Sequence, residues 1–138
     1  MPARDLYHEA VRQGLEKDGW KITNDPLPIK VKGQDMSIDL GAERILSAQK
    51  GAVEIAVEIK SFAAPSLIYE FYQALGQFMS YEFALEQEMP ARKLYLAVTD
   101  EAYDEFFLQP FGQAMIERHR LRLIVYDPTT EVLLKWIN

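Results

Sequence analysis

An α/β fold, a mixed β-sheet flanked by α-helices, is the class that this sequence predicts. Segments of helical period alternate with segments of strand period, so helices and strands must share a core. Hydrophobic residues make up 49% of 138 residues, enough for one continuous core, and a single domain over residues 1–138 is expected. Apolar runs such as Leu94 to Val98 and Leu121 to Tyr126 fall far short of the roughly 20 residues of a membrane-spanning helix.

The elements follow in order. Leu6, Ala10, Val11 and Leu15 recur at helical spacing from about Ala3 to Lys17, and Asp18-Gly19 supplies a stop. Trp20 to Val31 contains Pro26 and Pro28, which suits an irregular or edge strand. Met36 to Ser47 and Ala52 to Phe62 have strand composition and join through Gln49-Lys50-Gly51 as a hairpin. Alternation puts Glu54, Ala56, Glu58 and Lys60 on one face of the second strand, with Val53, Ile55, Val57 and Ile59 on the other. One face is expected to be core and the other to carry chemistry. After Pro65, Ser66 is placed to cap a long helix whose Leu67, Ile68, Phe71, Tyr72, Leu75, Phe78, Met79 and Phe83 recur at spacings of three and four. Lys93 to Thr99 reads as a buried strand, Glu101 to Arg118 as a helix and Leu121 to Tyr126 as a strand. Asp127-Pro-Thr-Thr then turns the chain into a last strand, Glu131 to Ile137.

The absence of cysteine excludes disulfides, thiolate metal sites and cysteine nucleophiles, and with no signal-like N-terminal segment a cytoplasmic location is expected. Net charge is −6, which counts against a large non-specific nucleic-acid surface. The imbalance is local: Ser61 to Ala91 holds Glu70, Glu82, Glu86 and Glu88 with no Lys or Arg.

The chemistry concentrates on Asp39, Glu58 and Lys60. Asp39 and Glu58 fall on adjacent strands, and Lys60, two residues beyond Glu58, projects from the same face. Two carboxylates at one site can hold a hard divalent cation such as Mg²⁺ or Mn²⁺ through oxygen. Lys60 could orient or help deprotonate a water, or stabilise charge on a phosphate. Metal-assisted hydrolysis of a phosphodiester uses these parts. A bare Glu-x-Lys pair is more often a solvated strand face, and Asp39 is what raises the combination above that. No Gly-rich phosphate loop, nucleophile elbow or zinc-spaced His pair is present.

An initial helix with a Glu, then Asp39, then Glu58-Ile59-Lys60, then a helix, resembles the PD-(D/E)xK superfamily of restriction endonucleases and Holliday-junction resolvases, with Ile38 where the motif's name has proline. A closer resemblance covers nearly the whole chain. Ala3, Asp5, His8, Val11 and Lys17-Asp18-Gly19-Trp20 through Thr23-Asn24-Asp25-Pro26, with Ile38-Asp39-Leu40-Gly41-Ala42-Glu43 and Val57-Glu58-Ile59-Lys60-Ser61-Phe62, are similar to the XisH family, the fdxN element excision controlling factors of cyanobacteria. That resemblance implies a restriction-endonuclease-like fold and DNA as a partner. It also implies a role in programmed DNA excision beside a site-specific recombinase and an XisI-like companion protein.

In the superfamily an acid of the first helix often completes the metal site, which makes Glu9 a candidate third ligand, although a solvated helix residue explains it as well. His8 points elsewhere, and an amphipathic surface histidine accounts for it. Gln73, Gln77 and Tyr81 line one helical stripe. Gln77-x-x-x-Tyr81 resembles the Gln-x-x-x-Tyr element of RecB-type nucleases, with helix packing the plainer explanation. Gly76 points to a close helix-to-sheet approach, or is simply tolerated within the helix. Glu43 lies on the face of Asp39 if the strand stays regular. Arg118, His119, Arg120 and Arg122 offset a helix dipole or bind phosphate. Phe71, Tyr72, Phe78, Tyr81 and Phe83 are expected in the core, with a partner interface as the other use. Two functions follow: a Mg²⁺- or Mn²⁺-dependent DNA endonuclease, or a non-catalytic accessory factor of a recombination complex acting through protein contacts. A homodimer is expected, since one chain of this size needs a partner to span a duplex.

Overall fold

The structure is a computed structural model that describes residues 5–138. Ala3, Arg4 and the expected start of the first helix lie outside the described residues. Among the described residues the strands form a six-stranded mixed sheet, ordered β1-β4-β5-β6-β7-β8, and a separate two-stranded sheet, β2-β3. Chain order is α1 (His8–Lys17), β1 (Lys21–Asn24), β2 (Leu27–Val31), β3 (Gln34–Ile38), β4 (Leu40–Ser47), β5 (Gly51–Lys60), α2 (Leu67–Glu88), β6 (Arg92–Thr99), α3 (Asp100–Ala102), a π-helical turn (Tyr103–Phe107), α4 (Pro110–His119), β7 (Leu123–Asp127) and β8 (Val132–Ile137). β5, β6 and β7 run parallel, while β1, β4 and β8 pair antiparallel to their neighbours. The mixed sheet flanked by helices is as the sequence predicts.

Both faces of the central strands are buried. On one face α1 sets Val11 and Leu15 against Leu40, Ile55, Val57, Ile124 and Tyr126. On the other, Phe71 and Phe78 of α2, Phe107, and the hairpin residues Leu27, Ile29 and Val31 cover Ala56, Leu94, Leu96 and Val98. Parallel strands enclosed on two sides read as near-continuous apolar runs, and Leu94 to Val98 is one. This corrects the expectation that β5 has one core face and one chemical face. The face that bears Glu58 is itself packed, and Glu58 is buried within it.

Three element boundaries also differ from expectation. Trp20 to Val31 is two strands: β1 forms the sheet edge, and β2 departs after the Asp25-Pro26 bond to pair only with β3. Pro28 is tolerated because β2 has a single partner, so its missing N–H costs no second ladder. Met36 to Ser47 breaks at Asp39 into β3 and β4. Glu101 to Arg118 is interrupted before Pro110, which opens α4, because proline drives Gln109 to an extended conformation with ψ 160°. Ser66 precedes α2 as expected, without a side-chain capping bond.

Candidate functional site

β4 and β5 pair with Leu40 opposite Val57, which puts Asp39 beside Glu58. Asp39 sits in the bend that ends β3, so its backbone turns toward β5. Its N–H donates to Glu58 Oε1 at 3.3 Å, and the Ile59 N–H donates to Asp39 Oδ2 at 2.8 Å. Each carboxylate is thus held by a backbone amide, and both rotamers are restrained. Lys60 Nζ stands 3.8 Å from Glu58 Oε2. The structure brings together the three residues that the sequence singles out.

Burial pushes the Glu58 carboxyl up to about 8, and the neighbouring charge of Asp39 pushes the same way, against the smaller opposing pull of Lys60. Two carboxylates share a poorly hydrated space with one ammonium group. Tyr81 of α2 feels the same field: burial first, then the charges of Glu58 and Asp39, push its hydroxyl up to about 12, so it remains a donor at neutral pH. This donor set suits a hard divalent cation, because a cation relieves the acid-acid repulsion that Lys60 leaves and accepts the carboxylate oxygens as ligands. Among the described residues no group of three or more His, Cys, Asp or Glu side chains could hold a metal, so the acidic set here is the pair Asp39 and Glu58.

The other candidates take different places. Glu9 is exposed on α1, whose apolar side packs on the opposite face of the sheet. Gln77 lies one turn before Tyr81 with its Oε1 buried and, among the described residues, unpartnered, whereas Gln73 is exposed. Glu43 pairs opposite Glu54, toward the other end of β5 from Glu58. His8 is not at the surface: it is buried with Nε2 2.8 Å from Asp25 Oδ1, and Arg12 bonds the other oxygen of Asp25, clamping α1 to the β1-β2 corner. Arg122 donates to Glu82 and to the Leu94 carbonyl, both at 2.9 Å, so it joins β7 to α2 and β6. Of the aromatic residues expected in the core, Phe71 and Phe78 are there, while Tyr72 and Phe83 are exposed.

Gly76 is also corrected: it is exposed, and a Cβ built on it would meet nothing within 4 Å. The close approaches occur at Gly112, at Gly14, where a Cβ would lie 2.8 Å from Leu133 Cδ2, and at Gly41, where it would lie 2.9 Å from Asn24 Oδ1 and 3.0 Å from Arg92 Nη1. Arg92 thereby passes Gly41 and donates to the Ile55 carbonyl at 2.8 Å. Sequence reasoning named Asp5 only as part of the family resemblance and gave it no role. Its carboxylate accepts from the Tyr7 N–H at 3.0 Å and from the Ser61 N–H at 2.9 Å, tying the start of α1 to the residue after Lys60. An Asp just before a helix is a recognised start signal, and extending the helix back to Ala3 hid it.

A sequence model described as XisH protein matches residues 1–134. An XisH family protein from Nostoc punctiforme PCC 73102, known from its crystal structure, is 45% identical with a TM-score of 0.88, the match covering 97% of this chain and 100% of that one. A crystal structure described as an fdxN element excision controlling factor protein from Anabaena variabilis is 45% identical with a TM-score of 0.89, covering 98% of this chain and 100% of that one. No curated protein matches. A family match over nearly the whole length, joined to two structures with the same fold, means that this chain belongs to the XisH family.

Proposed function

We propose that this protein is a nuclease-like factor of DNA element excision, with a divalent-cation site of the PD-(D/E)xK type at Asp39 and Glu58. The observation that carries the proposal is the convergence of Asp39, Glu58 and Lys60, with the two acids cross-braced by backbone amides and the lysine 3.8 Å from Glu58. Asp39 Oδ1 and Glu58 Oε2, the oxygens outside those amide bonds, would hold Mg²⁺ or Mn²⁺. The bound ion supplies Lewis-acid polarisation of a phosphodiester and of an attacking water. Lys60 places a cation where charge grows on the phosphate oxygens and would orient the attacking water. The Tyr81 hydroxyl, which keeps its proton, would offer a hydrogen-bond donor from the α2 side. Rigid placement of this kind contributes most where charge develops in a water-poor site.

The related Anabaena protein is described as an excision controlling factor, and programmed excision needs DNA strands cut or held beside a recombinase. DNA is therefore the substrate in this reading, with a recombinase and an XisI-like companion as partners. A second reading has its own observation. The chain carries −6 net charge, so an accessory factor that keeps the fold and works through protein contacts also fits.

Nicking of supercoiled plasmid and branched DNA by purified protein, with Mg²⁺ or Mn²⁺ and with or without the companion, separates the two. The nuclease reading expects metal-dependent nicking that falls at least about 100-fold in Lys60→Ala. No cleavage in any combination gives the function to the accessory reading.

A further inference from the structure

We propose that the outer face of α2 is the contact surface of a homodimer, two copies packing α2 against α2 antiparallel with Gly76 at the two-fold axis. The inference is independent of the metal-site reading.

α2 is 22 residues long, and the side opposite its core contacts is apolar. Tyr69, Tyr72, Met79 and Phe83 are exposed by 69%, 55%, 53% and 45%. With Gly76 they follow spacings of three, four, three and four, a single seam of the kind that packs on another helix. An ordinary solvated helix face carries ionic pairs, yet no residue from Phe71 to Tyr81 is charged.

The occupant is argued from the symmetry of the seam. A two-fold contact is self-complementary, each residue meeting its counterpart's partner across the axis. Tyr72 stands four residues before Gly76 and Met79 three after it, while Tyr69 and Phe83 stand seven before and seven after. Antiparallel pairing about Gly76 therefore sets Tyr72 against Met79 of the second copy and Tyr69 against Phe83. Tyr69 and Tyr72 already meet edge to face, with ring centroids 5.8 Å apart, as a preformed knob. Gly76 has no use within one copy, since open space surrounds it, and glycine weakens a helix interior relative to alanine. At the axis it allows two backbones to approach closely.

The charges of α2 permit this pairing, and the apolar seam supplies part of the area it needs. Glu70 and Glu82 point off the seam, and each is engaged within its own chain, Glu70 accepting from the Ala64 N–H at 3.1 Å and Glu82 from Arg122 at 2.9 Å, while exposed Glu86 lies one turn past Phe83, beyond the paired stretch. The four apolar side chains present on the order of 400 Å² per copy, about half of the roughly 800 Å² a standard interface takes from each partner. Gln73, Ser80 and Gln87, all exposed, flank the seam as a polar rim.

Sedimentation equilibrium of the full chain at about 50 µM tests the proposal. The expected mass is twice 15.9 kDa, and Gly76→Gln and Met79→Glu are each expected to weaken the dimer at least about 10-fold while leaving the thermal transition cooperative. Both positions are exposed in one copy, so neither change disturbs its core. A monomeric mass overturns the proposal, and so does a dimer indifferent to both substitutions. A monomer that instead loses binding to a companion protein through the same substitutions assigns the face to that protein and overturns self-association.

Discussion

Glu58 is the residue on which the site's behaviour turns, because it is the buried member of an acid pair with one nearby lysine. Its raised titration makes stability pH-dependent with a definite sign. The folded state holds the proton more tightly than the unfolded state, so the contribution is fully present below the ordinary carboxylate value of 4.5 and is lost as pH rises through about 8. In the absence of divalent ions, the melting temperature is therefore expected to fall by roughly 5 °C or more between pH 5 and pH 8, and Glu58→Gln to remove most of that fall. Thermal melts of both proteins across the range check this; equal slopes would show that Glu58 is not the group responsible. Asp39 and Lys60 were legible because strand alternation and hairpin pairing are short-range rules. The burial of Glu58 was not, since it depends on α2 and the β2-β3 hairpin, whose docking no local pattern announces.

At the level of elements, the chain's periodicities showed where most helices and strands lie but not how they end. Trp20 to Val31 reads as one strand until pairing shows that β1 joins the main sheet and β2 leaves it. The stretch from Glu101 to Arg118 keeps a helical rhythm, yet Pro110 forces a break and the π-helical turn packs Phe107 into the core. Gly112 is the local condition for that arrangement. A Cβ there would lie 2.2 Å from the Phe106 carbonyl oxygen and 2.6 Å from Phe107 Cα, distances only a backbone shift could relieve. Gly112→Ala is accordingly expected to destabilise the fold by about 1–3 kcal/mol despite alanine's better helix propensity, as read by urea denaturation. A stabilised variant would mean that α4 and the preceding turn are not packed this closely. Gly76 misled in the opposite direction: a helix glycine implies a close neighbour, and here the space is outside the molecule.

For the molecule as a whole, the sheet is a two-sided support. α1 closes one face, while α2 and the hairpin close the other and leave Asp39, Glu58, Lys60 and Tyr81 between them. No described helix is long and apolar enough to cross a membrane. The net charge of −6 limits how much duplex one copy can hold by electrostatics alone, so a second copy or a basic companion would complete any DNA-binding surface. The family and the mixed fold were legible from motifs spread along the chain; the seam on α2 was not, because helical spacing alone does not tell a core face from a partner face. The central claim is that Asp39 and Glu58 form a cation site. Calorimetric titration of Mn²⁺ at pH 7, in two buffers of different ionisation enthalpy, tests it most directly. The account predicts one ion per chain with net proton release, because Glu58 gives up its proton to bind, and loss of binding in both Asp39→Asn and Glu58→Gln. Absence of binding by the unaltered chain, or binding that both substitutions leave intact, would contradict it.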